Sequence, residues 1–330
     1  MDLNLNSMAA NSNAPDGEQE ESVRVLIIGS GPAGLSAALY AARADLEPLV
    51  LTGMELGGQV SLTFAVENYP GFPEGIGGME LVELFQKQAE RFGARLEYDL
   101  AAEVDFSERP FKVATQNGKH YLAESIIITT GASAIHLNVP GESELTGRGV
   151  SYCATCDGWF FKDKEVMVVG GGDSAVEESL FLTRYAENVT IVHRRDELRA
   201  GAILSERAKS NPKIKFAWNT VIEEISGNGA VQKVSLKDTQ TGAQREEEID
   251  GVFIFIGHKP NSSIFKDKLD MDVNGYLIVD NLMQTNMPGV YAAGEIADPH
   301  FRQVITSAGM GAAAAIQVNH FLDENPIPEN

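Results

Sequence analysis

Val23 to Ile28, a run of β-branched and aliphatic residues, leads directly into Gly29-Ser30-Gly31-Pro32-Ala33-Gly34, and Leu35 to Arg43 continues as an alanine-rich helical stretch. The order of strand, Gly-x-Gly-x-x-Gly and helix decides the fold. Such glycines allow a tight turn, close backbone approach to a pyrophosphate and close helix–strand packing. Without its flanks the motif would be weak, and an unliganded glycine-rich turn is the alternative; the strand before it and the helix after it favour a dinucleotide site. Leu49 to Leu51 is the expected second strand. A dinucleotide site commonly ends that strand in an acidic residue for the ribose, but Thr52-Gly53 stands there instead. Two glycine-bearing loops follow, Gly57-Gly58-Gln59 and Glu67-Asn68-Tyr69-Pro70-Gly71, then an amphipathic helix from Gly78 to about Phe92. Strands are expected over Glu97–Asp105, Phe111–Thr115 and Ser125–Thr129, the last running into Thr130-Gly131-Ala132.

The pattern then recurs. Glu165 to Val169 leads into Gly170-Gly171-Gly172-Asp173-Ser174-Ala175 and the helical Val176 to Ala186. Two such units in one chain make coincidence a poor reading. The next strand, Val189 to Val192, ends in His193-Arg194-Arg195, with Arg199 four residues on. Guanidiniums stand where an NAD site would place a carboxylate, and arginine matches phosphate bidentately, so the second nucleotide is expected to be NADPH. A solvated basic face is the alternative, which fits poorly in so acidic a chain. A β-rich stretch from Lys215 to Glu248 precedes a buried strand, Val252 to Ile256, that closes in Gly257-His258-Lys259-Pro260.

Between the two units lie the only two cysteines, in Cys153-Ala154-Thr155-Cys156-Asp157. Zinc needs four ligands; no second Cys-x-x-Cys exists, and His136 and His193 lack finger-like spacing. A structural disulfide would close a very small loop, where the entropic gain is small. A redox-active dithiol is the favoured reading.

Composition narrows the classes. The chain has 330 residues, enough for two domains, and a net charge of −21, so no basic surplus exists to neutralise a nucleic acid. No apolar run approaches the ~20 residues of a membrane helix. Residues 1–22 are polar and acidic with no signal-peptide pattern, and are expected to form a disordered acidic tail on a cytoplasmic protein. Near the C-terminus, Gly289 to Glu295 reads as a short strand ending in a carboxylate. Arg302-Gln303 and a helix from Ile305 to Leu322, dense in alanine and glycine, follow it.

Together these motifs resemble the low-molecular-weight, bacterial- and plant-type NADPH-dependent thioredoxin reductases over nearly the whole chain. The stretches that carry the resemblance are Gly29-x-Gly-Pro-Ala-Gly34, Thr52-Gly53 through Gln59, Glu67-Asn68, Cys153-Ala-Thr-Cys-Asp157, Gly170-Gly-Gly172, His193-Arg-Arg195 with Arg199, and Arg302-Gln303. The resemblance implies an α/β fold of two Rossmann-like, three-layer dinucleotide-binding domains. The FAD domain is discontinuous (23–134 and 261–330), and the NADPH domain (135–260) is inserted into it with the cysteines. It implies FAD contacts from Gly29, Gly31, Pro32, Ala33, Gly34, Thr52, Gly53, Gln59, Asn68, Val104, Ala132, Glu295, Arg302, Gln303 and Val304. For NADPH it implies Gly170, Gly172, Asp173, Ser174, Glu177, His193, Arg194, Arg195, Arg199, Ile256 and Gly257. It further implies a homodimer, with thioredoxin as protein substrate. Glu295 is a departure, since the family usually has aspartate there.

By the same resemblance, Cys156 faces the flavin, Cys153 attacks thioredoxin and Asp157 is the acid that protonates a departing thiolate; a turn cap is the plainer role for Asp157. The domains are expected to rotate about linkers near Gly131–Pro140 and Gly257–Asn261. Other readings are a flavin disulfide reductase with a different partner or donor, a ferredoxin–NADP reductase, and a non-catalytic redox sensor. The intact arginine cluster disfavours another donor, and the central cysteines disfavour a ferredoxin–NADP reductase.

Overall fold

The computed structural model describes residues 20–54, 56–63 and 66–327. The first unit opens with β1 (Glu20–Ile28), α1 (Pro32–Arg43), β2 (Leu49–Leu51), α2 (Gly78–Arg91) and β3 (Arg95–Glu97). It continues with β4 (Ala101–Asp105), β5 (Phe111–Thr115) and β6 (His120–Ile128). A short β7 (Ala132–Ala134) leads into the second unit: α3 (Glu142–Leu145), β8 (Val150–Ser151), α4 (Ala154–Asp157), β9 (Glu165–Val169), α5 (Asp173–Leu182), β10 (Asn188–Val192), α6 (Ala202–Ser210) and β11 (Ile214–Ala217). There follow a three-strand meander, β12 (Thr220–Ser226), β13 (Lys233–Asp238) and β14 (Gln244–Glu248), then β15 (Gly251–Ile254) and β16 (His258–Pro260). The chain closes with β17 (Val290–Ala292) and α7 (Val304–Glu324).

The first sheet has seven strands in the order β3-β2-β1-β6-β5-β4, with β17 also on β6. Its centre is parallel: β1 pairs with β2 and β6, and β17 with the last three residues of β6. The second sheet repeats this logic in five parallel strands, β11-β10-β9-β15-β8. Strands buried on both faces carry near-continuous aliphatic runs, which is why they were easy to read. Within β1, Leu26 and Ile28 enter one core while Val25 and Ile27 enter the other. The β8–β11 sheet divides two cores in the same way, with Val166 and Val168 on one face and Met167 and Val169 on the other.

The last three residues of the tail expected over 1–22 form part of a strand instead. Residues 1–19 lie outside the described residues, but Glu20, Glu21 and Ser22 pair in register with His120, Tyr121 and Leu122. Their polarity hid a strand that backbone pairing carries past the apolar run. The strand expected over Glu97–Asp105 is two, because the chain turns between Glu97 and Ala101. The two connections between the units also pair with each other, β7 antiparallel to β16, with Ala132 opposite Pro260 and Ala134 opposite His258.

Helix α7 explains its own composition. Its middle packs on α1, and a Cβ at Gly311 would sit 2.0 Å from the Ala33 carbonyl oxygen. Ala314 and Ala315 are buried with Ala37, Ala38 and Ala41. The small residues of this helix are therefore mostly a helix–helix contact.

Candidate active site

The turn after β1 is built for an anion. Gly29 has φ +114°, and a Cβ on it would lie 2.4 Å from the Thr129 carbonyl oxygen; a Cβ on Gly34 would lie 2.0 Å from the Gly29 oxygen. Only glycine brings β1, β6 and α1 this close. Gly31 caps α1 without a side-chain hydrogen bond, so first-turn N–H groups remain available, and a Cβ there would meet nothing within 4 Å.

That turn opens into a cavity of about 1080 Å³ lined from both units. Of the residues expected at the flavin, Gly29, Gly31, Pro32, Ala33, Thr52, Gln59, Asn68, Ala132, Glu295, Arg302, Gln303 and Val304 line it. Three others do not. Gly34 supports the turn from behind, and Gly53 donates its N–H to the Asp99 carbonyl at 3.0 Å. Val104 is buried in the first unit's apolar core, with its carbonyl accepting from Lys268. The position usually held by a ribose acid keeps Thr52, 4% exposed, whose hydroxyl donates to the Gly53 carbonyl. Gln59 donates to the Ala132 carbonyl across the cavity wall.

Charge inside the cavity centres on Arg302, held at φ +50°. Its Nη1 donates to His258 Nδ1 at 2.7 Å, and burial together with that guanidinium pulls the His258 pKa down to about 4. The imidazole is therefore neutral, a role a lone loop histidine did not reveal in the sequence. Burial raises the Glu295 pKa from 4.5 to about 7, with Arg302 pulling it down and Asp298 pushing it up. Glu178, on α5 of the second unit, also lines this cavity; burial raises its carboxyl and Arg302 opposes that.

The cysteines occupy the same cavity. Cys153 and Cys156 form a disulfide with Cα atoms 5.3 Å apart, and both line the wall with Thr155 and Asp157. Cys153 caps the single turn of α4, its Sγ accepting from the Cys156 N–H at 3.2 Å. Contact with the first unit runs through Thr155. Gln303 Nε2 donates to Thr155 Oγ1 at 3.2 Å, while Gln303 Oε1 accepts from Asn68 Nδ2 at 3.2 Å. Thr155 Oγ1 lies 3.3 Å from Cys153 Sγ. A polar chain thus runs from the first unit's loop to the first cysteine sulfur. Asp157 caps nothing: its carboxylate accepts from Ser151 Oγ at 2.5 Å, and burial raises its pKa while that bond lowers it. Ser151 was missed in the sequence, where a serine two places before a cysteine carries no signal.

The second fingerprint forms a separate site. Gly172 caps α5 without a side-chain bond, and Gly170, at φ +151°, lies where a Cβ would be 2.5 Å from the Phe255 oxygen. Ile256 and Gly257 therefore follow a strand end that abuts the glycine turn. The arginine loop is stitched to the same turn: Arg199 N–H donates to the Gly171 carbonyl at 2.6 Å, and a Cβ on Gly172 would be 3.9 Å from Arg199 Nη2. Asp173 Oδ1 accepts from Gly201 N–H at 2.8 Å. Ser174 and Glu177 lie exposed on the first turns of α5, and Arg194 and Arg195 are exposed beyond β10. His193 differs from its neighbours. It is 5% exposed, its ring is 2.4 Å from where a Gly171 Cβ would be, and its Nε2 has no hydrogen-bond partner among the described residues. Burial and then Arg199, Arg195 and Arg194 lower its pKa, so it is a neutral ring packed under the glycine turn. Among the described residues no cluster fit for a metal occurs, and no helix is long and apolar enough to cross a membrane.

Comparison with known proteins agrees with this arrangement. The sequence model of the pyridine nucleotide-disulphide oxidoreductase family matches residues 23–311. The thioredoxin reductase of Rickettsia bellii is 50% identical over 305 residues, covering 91% of this chain and 98% of the relative. The crystal structure of thioredoxin reductase from Streptococcus pyogenes superposes with a TM-score of 0.88 at 43% identity, over 92% of this chain and 99% of that one. The Lactococcus lactis thioredoxin reductase in its FR conformation, at 42% identity and covering 92% of this chain and all of its own, gives only 0.63. Sequence, fold and the enclosed disulfide converge: the chain belongs to the pyridine nucleotide-disulphide oxidoreductase family and, within it, to the low-molecular-weight thioredoxin reductases.

Proposed function

We propose that this protein is a thioredoxin-disulfide reductase holding FAD in the first unit (23–134 and 261–330) and NADPH in the second (135–260). The observation that carries it is the disulfide Cys153–Cys156 in the wall of the cavity that begins at the first glycine turn. The cavity fits a dinucleotide: glycines that a Cβ would block, a free helix N-terminus for the pyrophosphate, and the buried carboxyl of Glu295 for a hydroxyl. When bound, the flavin and nicotinamide supply the hydride chemistry. The protein's part is to hold and open the disulfide. Gln303 and Asn68 hold Thr155, and with it the cysteine turn, against the first cavity. A thiolate is the attacking form in exchange with a protein disulfide, and Asp157, a half-buried carboxyl on the cysteine turn, would be the acid that protonates a leaving sulfur. His258, its ring kept neutral by burial and by Arg302, lines the cavity together with that arginine.

Exchange with a protein substrate requires the cysteine turn to leave this position. Trp159 and Phe160, three and four residues after Cys156 and 54% and 38% exposed, offer such a substrate an apolar surface. The fall in structural agreement between two relatives of nearly equal identity is what a reorientation of two rigid units would give, and the paired β7 and β16 are where it would turn. A homodimer in the cytoplasm belongs to the same proposal, by family membership. The test is steady-state oxidation of NADPH against NADH by the flavin-loaded protein with thioredoxin and a chromogenic disulfide. The expected result is turnover that depends on thioredoxin and falls about tenfold or more with NADH, because each charge-assisted phosphate bond is worth roughly 1.5–3 kcal/mol. Equal use of the two nucleotides would overturn the arginine assignment, and turnover only with artificial acceptors would overturn the thioredoxin assignment.

A further inference from the structure

The cysteine turn is closed by one hydroxyl. Ser151 ends β8 and is 4% exposed. Its Oγ donates to Asp157 Oδ2 at 2.5 Å, accepts from the Cys153 N–H at 3.1 Å, and lies 3.3 Å from the Cys153 carbonyl oxygen. One hydroxyl has one proton and two acceptor lone pairs, so it can serve only one of the two oxygens at a time. While Asp157 is a carboxylate, the short charge-assisted bond takes the proton. Once Asp157 is a carboxylic acid, the acid donates to Ser151 Oγ and the serine hydrogen turns to the Cys153 carbonyl. Every group is satisfied in both states, and the switch between them is a rotation about one bond.

We propose that Ser151 is a positioning residue for the redox step: its hydroxyl holds the Asp157 carboxyl in both protonation states and ties it to the backbone of Cys153. The proposal rests on the reading of Cys153–Cys156 as the redox pair. The electron pair that enters the disulfide originates in NADPH and breaks the S–S bond, leaving two sulfurs as thiolates. Asp157 gives its proton to one of them and becomes a carboxylate, and Ser151 turns its O–H to that carboxylate. The second sulfur remains a thiolate or takes a proton from water. Because Ser151 also holds the Cys153 N–H, the turn stays assembled while the covalent link between its ends is open.

Nothing else charged governs Asp157. The helix packed on its turn, α5, brings Glu177 and Glu178, and the adjoining residues Gly158–Phe161 bring no charge. Only burial and the Ser151 bond shift the Asp157 carboxyl, in opposite directions. Removing the hydroxyl therefore leaves burial alone, and the proton is held more tightly.

The experiment follows thiol formation in the flavin-loaded protein after mixing with NADPH, across roughly pH 6 to 9, for the native protein, Ser151→Ala, Ser151→Thr, Asp157→Asn and the Ser151→Ala/Asp157→Asn pair. Ser151→Ala is expected to move the rate profile up by about one pH unit, a tenfold tighter proton, and Ser151→Thr to restore it. Asp157→Asn is expected to flatten the profile, with no further movement on adding Ser151→Ala. A profile unmoved by Ser151→Ala, or moved equally in the Asp157→Asn background, overturns the proposal. Should Ser151→Ala fail to retain flavin, the Ser151→Thr protein decides: it keeps the native profile, or the hydroxyl is not what matters. If no thiols form in the native protein, the redox reading itself fails.

Discussion

Glu295 shows how a single residue can report what the cavity is for. A carboxyl this well buried binds its proton more tightly in the folded chain than in the unfolded one, with a pKa near 7 against 4.5. Between those values the folded state holds the extra proton, so stability from this group is present on the acid side and is lost as pH rises through about 7. The shift corresponds to on the order of 3 kcal/mol. Glu295→Gln should therefore stabilise flavin-free protein by up to that amount at pH 8 and hardly at all at pH 5, measured by denaturant unfolding. An equal effect at both pH values would place the carboxyl in ordinary solvent. At this scale legibility divided by range. The glycines after β1 and β9 and the Cys-x-x-Cys were readable because their chemistry lies within six residues of sequence. His258 against Arg302 was not, since 44 residues separate the partners. Val104, implied at the cofactor by the resemblance, sits in the core because a register shift between Ala101 and Glu103 turns Ala101 and Val104 to the same buried side of β4.

Among the elements, α1 and α7 carry the most consequential contact. Their approach is close enough that a methyl at Gly311 would collide with the Ala33 backbone, and Ala33 itself lines the cavity. Gly311→Ala must push α7 away from α1, a strain worth about 1–3 kcal/mol. The expected outcome is a lower melting temperature together with weaker flavin retention, both read in one thermal scan followed by flavin fluorescence. A drop in stability with flavin retention unchanged would show that the contact serves the core alone. The helix itself was legible from composition, but its partner was not. Small residues announce close packing without saying whether a ligand, a sheet or another helix lies opposite, and only its first turn proved to face the cavity. The strand expected to start at Val23 extends back to Glu20 because parallel pairing with β6 satisfies backbone groups whatever the side chains are.

In the whole molecule, two similar sheets are joined by two short connections that pair with each other. Nearly all of this was legible, because a repeated strand–glycine–helix signal between stretches of ordinary length leaves few alternatives. What the sequence did not show is how the units sit together. That depends on contacts between residues far apart in the chain, above all Thr155 with Gln303, 148 positions away. The first connection is gripped firmly ahead of the cysteine segment. Glu142, 2% exposed, accepts from the N–H groups of Leu137, Asn138 and Val139 and from the Tyr152 hydroxyl, so the chain from Leu137 onward moves with Cys153. In this connection, any turning of one unit on the other is thereby confined to the residues before Leu137.

On the proposed reading, electrons entering from NADPH reach the Cys153–Cys156 disulfide through the cavity that it shares with the first glycine turn. The decisive experiment is anaerobic addition of NADPH to the flavin-loaded protein, with flavin bleaching and thiol content measured on the same sample. The expected result is bleaching accompanied by two new thiols per chain in the native protein. For Cys153→Ser and Cys156→Ser it is bleaching and dye reduction with no new thiols and no thioredoxin reduction. Bleaching of the native protein without new thiols would contradict it.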